Sequence, residues 1–126
     1  MRIGGVPEHF NLPWKLAIAD NAFAGTGLDV EFIDYPGGTG AMTAALRDRE
    51  LEAAIVLTEG AVLDILNGSD NRLVSIYVES PLVWGIHVAA GGPVTAVNEG
   101  QRVAISRFGS GSHLIAVVDA MMRGFD

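Results

Sequence analysis

Apolar and polar residues alternate along the chain with two different periods, and glycine-rich turns separate the segments. Residues 28–32 alternate apolar and acidic side chains, which is the period-two pattern of a strand with one polar face. The uninterrupted apolar run 53–57 is typical of a strand buried on both faces of a parallel sheet. Further strands are predicted over residues 2–6, 73–78, 82–90 and 102–106.

Helices are predicted between these strands. The first begins near Asn11, a residue type favoured at helix N-caps, and has Pro13 in its first turn, where the missing N–H costs nothing. Its apolar face is made of Leu12, Leu16, Ala19 and Phe23. Other helices are predicted over residues 41–49, 60–66 and 113–123, the last with an apolar stripe of Leu114, Val117, Val118 and Met121. Repeated βα units predict an α/β fold with a mostly parallel sheet.

Composition narrows the possible functions. A length of 126 residues fits one domain of ordinary size, and a hydrophobic share of 49% argues against disorder. The lack of cysteine excludes disulfides, thiolate zinc sites and a cysteine nucleophile. A net charge of −7, with Lys15 as the single lysine, argues against nucleic-acid binding. No apolar run reaches the about 18 residues that a membrane span requires.

Two glycine-rich turns lie where a strand leads into a helix, which is where open α/β sheets bind ligands. Glycine lets the backbone approach a ligand closely, and the free N–H groups of a helix start attract negative charge. In the second turn, serine hydroxyls would add further donors. The alternative for each is a tight turn without a ligand, and neither matches a nucleotide-binding fingerprint. The residues concerned are Gly38, Thr39, Gly40 and Ala41 in the first turn, and Ser110, Gly111 and Ser112 in the second.

Polar side chains also follow two of the predicted strands. Glu8 and His9 come after the first strand and precede Phe10, and Thr58 and Glu59 come after the buried strand. His9 and Glu59 are candidates for hydrogen bonds to a ligand. The alternatives are a solvated loop residue for His9 and a carboxylate that favours the helix start for Glu59.

The remaining histidines and aromatic residues predict no further chemistry. His87 lies within an apolar predicted strand and is expected in the core or at a hinge, and His113 opens the last helix. The three histidines lack the i, i+4 spacing of a metal-binding helix, so neither a metal site nor a cofactor is predicted. Trp14, Tyr35 and Trp84 are expected to pack within the protein rather than stack on an aromatic ligand.

Five short segments together resemble a known family. They are Val-Pro-Glu-His-Phe at 6–10, Gly-Thr-Gly-Ala-Met at 38–42, Leu-Thr-Glu-Gly at 57–60, Tyr-Val-Glu-Ser-Pro at 77–81 and Ser-Arg-Phe-Gly-Ser-Gly-Ser at 106–112. In this order and spacing the chain resembles type II periplasmic-binding-protein-like proteins, the substrate-binding components of ABC importers. It is most similar to the signal-less branch related to binding proteins for thiamine pyrimidine precursors and for nitrate, sulfonate and taurine.

The resemblance implies two α/β lobes around a cleft that holds a small polar or anionic ligand. Residues 1–90 would form the first lobe, 91–101 the crossover, and 102–126 the first βα unit of the second lobe. Because members of the family are roughly twice this long, a truncated chain with impaired binding is expected. The ligand-binding residues it implies are Glu8, His9, Phe10, Gly38, Thr39, Gly40, Ala41, Thr58, Glu59, Ser110, Gly111 and Ser112.

Two other functions compete with solute binding. Enzymes that share the scaffold include thiamine-pyrimidine synthases, whose cysteine motif is missing here, and chorismate dehydratases of menaquinone synthesis; His9 and Glu59 would be the acid and base. The third is an intracellular ligand sensor. The first residues carry no secretory signal, which predicts a cytoplasmic location, or a periplasmic one for a mature exported form. Expected partners are a small-molecule ligand, an ABC permease if the protein is exported, and a second copy through the apolar stripe of the last helix.

Overall fold

The computed structural model describes residues 1–125. They fall into two compact units, Met1–Tyr77 (unit 1) and the residues from Val78 onward (unit 2). Unit 1 contains the strands β1 (Arg2–Gly5), β2 (Glu31–Asp34) and β3 (Ala53–Ala54). Its helices are α1 (Leu12–Ala19), α2 (Gly38–Arg47) and α3 (Thr58–Leu66), and a 3₁₀ turn, His9–Asn11, precedes α1. Unit 2 contains α4 (Gly111–Arg123).

The three strands form a parallel sheet in the order β2-β1-β3. In the register, Ile3 of β1 lies opposite Phe32 on one side and Ala53 on the other. Backbone bonds continue the pairing past the strand ends, from Tyr35 N–H to the Gly5 carbonyl (2.7 Å) and from Ile55 N–H to the Gly4 carbonyl (2.8 Å). Each strand leads into a helix, so the α/β fold with a parallel sheet is confirmed.

The core of unit 1 lies where α2 packs on the sheet. Met42 and Ala45 of α2 and the following Leu51 are buried together, with Ile33 and Tyr35 packed against them. Gly4 permits this packing, because a Cβ atom there would stand 2.4 Å from Leu51 Cδ1. The absence of a side chain on β1 therefore lets the chain that follows α2 pack tightly against the sheet.

The first helix differs from its prediction. It ends at Ala19, and Phe23 lies in the turns that follow. Leu12 and Leu16 are both 53% exposed, whereas Trp14, Ala17 and Ile18 are half-buried. Asn11 does stand at the N-cap position, but its side chain donates to the Val6 carbonyl (2.7 Å) instead of accepting from the helix. The 3₁₀ turn before α1 places the side-chain amide of Asn11 at the end of β1. This amide therefore bonds to the Val6 carbonyl and does not cap the helix.

Three predicted strands do not form in the part of the chain that the structure describes: residues 73–78, 82–90 and 102–106. A strand requires a neighbour that pairs with its N–H and C=O groups, and an apolar run cannot supply that neighbour. The backbone bonds in this region are short-range turn bonds, such as Gly92 N–H to the Ala89 carbonyl (3.0 Å). β3 is likewise shorter than the predicted run 53–57, and β2 is shifted toward the C-terminus from 28–32.

The helices α2, α3 and α4 all begin two or three residues earlier than predicted, at Gly38, Thr58 and Gly111. The residues predicted as turns are therefore first helical turns. Gly38 has φ of +69°, a left-handed conformation that glycine adopts without strain, and this conformation turns the chain from β2 into α2.

In unit 2, α4 ends at Arg123, and Gly124 caps it with φ of +74°, as predicted. The predicted apolar stripe of α4 is exposed: Leu114 by 41%, Val117 by 45%, Val118 by 37% and Met121 by 70%. Self-association through this stripe stays a prediction, as does a lobe boundary near residue 90. None of the helices formed by residues 1–125 has the length and apolar character needed to cross a bilayer.

An ion pair ties the start of β1 to the segment before β3. The Arg2 side chain donates to Glu52 Oε1 (2.7 Å) and to the Arg49 carbonyl (2.9 Å). Hydrogen bonds from the side chain and backbone of Arg2 lower the pKa of Glu52 from 4.5 to about 2. The pair therefore stabilises the fold above pH 4.5, and this stabilisation is lost as the pH falls toward 2.

We expect Glu52→Gln to lower the free energy of unfolding near neutral pH, and the gap between variant and wild type to close as the pH falls to about 2. Urea unfolding over a pH series measures both curves. Glu50→Gln, at an exposed neighbour, is the control and should follow wild type throughout. A gap that is constant across the series would contradict the assignment.

Candidate functional site

The carboxyl ends of the three parallel strands meet at one edge of the unit 1 sheet, and the segments that follow them form a rim, residues 6–11, 35–41 and 55–60. Ligands of open α/β sheets bind at such an edge. The structure brings these predicted site residues to the rim: Glu8, His9, Phe10, Gly38, Thr39, Gly40, Ala41, Thr58 and Glu59. Ser110, Gly111 and Ser112 belong to unit 2.

The starts of α2 and α3 are in direct contact at the rim. Thr39 Oγ1 accepts a hydrogen bond from Leu57 N–H (3.3 Å). The Thr39 side chain also lies against Gly60, where a Cβ atom would stand 2.5 Å from Thr39 Cγ2. Two helix N-termini are thus held side by side, and the glycine makes their approach possible.

These two helix starts provide the donors of the rim. Helix geometry leaves the N–H groups of Thr39 and Gly40 without an acceptor inside α2, and those of Thr58, Glu59 and Gly60 without one inside α3. The positive ends of two helix dipoles therefore point to the same edge of the sheet. Gly40 and Thr58 are exposed there, and Thr39 and Glu59 are half-buried. This arrangement can attract an anion or the polar acceptor of a neutral molecule.

The segment after β1 provides carboxylate and aromatic groups. Glu8 and His9 are exposed, and the His9 and Phe10 rings lie 4.0 Å apart between centroids. Asn11 is only 1% exposed, and its Oδ1 is buried without a hydrogen-bond partner among residues 1–125. Gly5 gives Asn11 its space, because a Cβ atom on Gly5 would stand 2.7 Å from Asn11 Nδ2.

Lys15, the single lysine of the chain, is already paired. Its Nζ lies 2.9 and 3.0 Å from the two carboxylate oxygens of Asp34, the last residue of β2. It also lies 5.6 Å from the centre of the Phe32 ring. Anion recognition at the rim would therefore depend on backbone N–H groups. A shallow open depression beside Lys15 is lined by α1 and the start of β2, not by rim residues.

In unit 2, the serine loop before α4 forms a hydrogen-bond network whose proton directions can be assigned. Ser110 Oγ must donate to the Arg107 carbonyl (2.7 Å), since a carbonyl only accepts. The Ser110–Ser112 contact (2.9 Å) then has Ser112 as donor, and the Ser106–Ser112 contact (3.1 Å) has Ser106 as donor. All three hydroxyl protons are used within the loop. In this conformation the serine hydroxyls donate within their own loop, and their contact with a ligand stays a prediction.

The two histidines of unit 2 have different surroundings. His113 Nδ1 accepts from Gly109 N–H (3.1 Å), and its ring meets Phe108 edge-on at 5.2 Å, so His113 closes the same loop. His87 is exposed, so its expected place in the core is wrong because the surrounding strand does not form, and a hinge position stays a prediction. Within residues 1–125, no group of three or more His, Cys, Asp or Glu side chains is positioned to hold a metal ion.

Comparison with known proteins supports the fold. No protein-family model and no curated protein matches the chain. A solved structure, the conserved CA3427 gene product of Candida albicans, superposes with a TM-score of 0.79 at 29% sequence identity, over 100% of this chain and 43% of that one. That protein is described as defining a new family with the generic periplasmic binding protein fold. The chain has the fold of part of a periplasmic binding protein. It spans less than half of the length of the structure it matches.

Three residues that matter at the rim of this fold were not identified from the sequence: Asn11, Gly60 and Tyr77. The sequence predicts Asn11 only as a helix cap, whereas in the structure Asn11 is buried and its side chain bonds to the Val6 carbonyl. Gly60 gave a usable signal, because glycine in the first turn of a helix is unfavourable unless close packing requires it. Tyr77 contacts the rim through its hydroxyl, which donates to the Phe10 carbonyl (2.7 Å), and no local pattern indicates a contact across 67 residues.

Replacing Ser110 with alanine is expected to destabilise the start of α4 by about 1 kcal/mol. Ser110 is 7% exposed, and its Oγ both accepts from His113 N–H (3.3 Å) and donates to the Arg107 carbonyl. Hydrogen exchange of the amides over residues 109–114 measures the loss. Ser75→Ala, at an exposed serine of unit 1, is the control. Unchanged exchange in the S110A loop would contradict the network.

Proposed function

We propose that this chain binds a small polar or anionic solute at the rim of unit 1, without catalysing a reaction. The observation that carries this proposal is the contact of Thr39 with Leu57 and Gly60, which holds two helix N-termini side by side. Two converging sets of free N–H groups recognise a negative charge better than one set. The periplasmic-binding-protein fold of the matched structure supports the same function.

The groups at the rim restrict the chemistry of the solute. Backbone N–H groups at the starts of α2 and α3 would bind its anionic or acceptor part. The Glu8 and Glu59 carboxylates accept hydrogen bonds, so a solute with its own donor groups would be favoured over a simple anion. The Phe10 ring is 37% exposed and offers an apolar contact beside them.

We also propose the solute range, the partner and the further site residues that the sequence resemblance implies. The solute would belong to the chemical range of thiamine pyrimidine precursors, nitrate, sulfonates and taurine, and an ABC permease would be the partner of an exported form. Residues 91–101 would be the crossover between lobes. Gly111 and Ser112 would bind through backbone N–H groups at the start of α4, next to Ser110, whose own N–H donates to the Arg107 carbonyl (3.2 Å).

Binding is favoured over serine-based catalysis by the hydrogen bonds of the serine loop in unit 2. In the serine loop, Ser112 Oγ hydrogen-bonds with Ser106 and Ser110, and His113 Nδ1 is occupied by Gly109 N–H. A serine nucleophile would instead donate to a histidine.

Thermal unfolding in the presence of candidate solutes tests the function. Nitrate, taurine and a phosphorylated thiamine pyrimidine are the probes, each added at increasing concentration. A bound solute stabilises the folded state by about 2.7 kcal/mol at 100 times its Kd. Thr39→Val should weaken the effect, and the matched Thr95→Val, at an exposed threonine of unit 2, should not. The absence of stabilisation by all three probes would contradict the proposed solute range.

A further inference from the structure

Residues 69–77 link the end of α3 to the end of unit 1 without forming a helix or a strand. This segment is fixed near its start, where Asn71 Nδ2 donates to Asp64 Oδ2 of α3 (3.0 Å). Beyond Asn71 its apolar side chains are exposed, Val74 by 91% and Ile76 by 72%. A segment with so few buried contacts is held mainly by its anchors.

The second anchor is Tyr77, and it lies on the rim. The Tyr77 hydroxyl donates to the Phe10 carbonyl (2.7 Å), and its ring centre lies 6.3 Å from that of Trp14 in α1. Trp14 in turn stacks on Phe23 at 6.2 Å, so the partly exposed tyrosine ring lies beside one member of an aromatic pair. Tyr77 is the last residue of unit 1.

The Phe10 peptide is the point at which the segment after β1 passes into α1. Residues 9–11 form the 3₁₀ turn, closed by Asn11 N–H to the Glu8 carbonyl (3.1 Å). The Asn11 side chain fixes the turn from the inside through the Val6 carbonyl. The Tyr77 hydroxyl fixes the turn from the outside, through the Phe10 carbonyl. The two hydrogen bonds therefore hold adjacent residues, Phe10 and Asn11.

We propose that Tyr77 is a positioning residue of the rim, which holds Glu8, His9 and Phe10 in the geometry that meets a solute. This inference rests on the proposed function for the solute, but the position of the segment can be measured without one. Because the His9 ring lies against the Phe10 ring, with centroids 4.0 Å apart, a shift of the Phe10 peptide should move both. Tyr77 itself need not touch the solute.

The test compares Tyr77→Phe with wild type by hydrogen exchange of the full chain. Loss of one hydrogen bond should make the amides of residues 8–12 exchange about fivefold faster, while those of β1 and β2 keep their rates. Tyr35→Phe is the matched control, since Tyr35 packs on the core of unit 1 and lies on a different part of the rim. It should leave residues 8–12 unchanged. Equal exchange of residues 8–12 in Y77F and wild type would overturn the inference.

A second readout separates this inference from the proposed function. Titration with inorganic phosphate, followed by the amide resonances of residues 39, 40 and 58–60, gives a Kd for wild type and for Y77F. Weaker phosphate binding by Y77F at an unchanged unfolding midpoint supports positioning. If phosphate moves none of these resonances in wild type, anion binding at the rim fails, and the exchange experiment still decides the role of Tyr77.

Discussion

Replacing Met42 with alanine is expected to lower the free energy of unfolding by about 2–5 kcal/mol. Met42 is 1% exposed and packs with Ala45 and Leu51 at the centre of the unit 1 core. The substitution removes buried apolar atoms and leaves a cavity that the backbone of α2 cannot fill. Because total stabilities of small domains are about 5–15 kcal/mol, the loss is a large part of the whole.

Urea unfolding followed by circular dichroism measures this loss. Met122→Ala is the matched control, since Met122 is 84% exposed and should change the free energy of unfolding by less than about 0.5 kcal/mol. Equal effects of the two substitutions would contradict the placement of α2 on the sheet. As α2 carries Gly38, Thr39 and Gly40 in its first turn, M42A should also weaken any solute binding at the rim.

Replacing Gly60 with alanine is expected to separate the starts of α2 and α3. The new Cβ would stand 2.5 Å from Thr39 Cγ2, and threonine is too short and too stiff at χ1 to move away by rotation alone. Overpacking of this kind costs about 1–3 kcal/mol. The larger consequence should be for binding, since the two sets of free N–H groups would no longer converge.

Gly40→Ala is a well-matched control for stability. Gly40 and Gly60 are each the third residue of their helices, so both substitutions bring the same gain in helix propensity, about 1 kcal/mol. A Cβ atom on Gly40 would meet nothing within 4 Å. The difference between the two variants in urea unfolding therefore isolates the clash with Thr39. If G60A is as stable as G40A, the helix starts are not in contact as described.

The sequence was sufficient to predict those parts of the fold that local patterns determine. The alternation of β-favouring and helical segments predicted the parallel α/β architecture, and Gly124 marked the end of α4. The helix starts at Gly38, Thr58 and Gly111 were predicted too late, because glycine, serine and threonine are favoured both in turns and at helix N-caps.

Features that depend on distant parts of the chain could not be predicted. Whether residues 82–90 pair as a strand depends on a neighbour that an apolar run does not identify. The Ser106, Ser110 and Ser112 hydroxyls form hydrogen bonds within their own loop, and these bonds depend on how the loop folds rather than on local sequence. The contacts of Thr39 with Gly60 and of Tyr77 with Phe10 are non-local for the same reason. The resemblance supplied the fold, which the Candida albicans structure supports, but not the solute.

Resonance mapping on the ¹⁵N-labelled chain tests the central claim, solute binding at the rim of unit 1, most directly. Nitrate, taurine and a phosphorylated thiamine pyrimidine are titrated in turn while all backbone amides are observed. The account predicts saturable shifts for at least one probe, largest at Thr39, Gly40, Thr58, Glu59 and Gly60, and lost in G60A. Saturable shifts confined to other parts of the chain, or none with any probe, would contradict it.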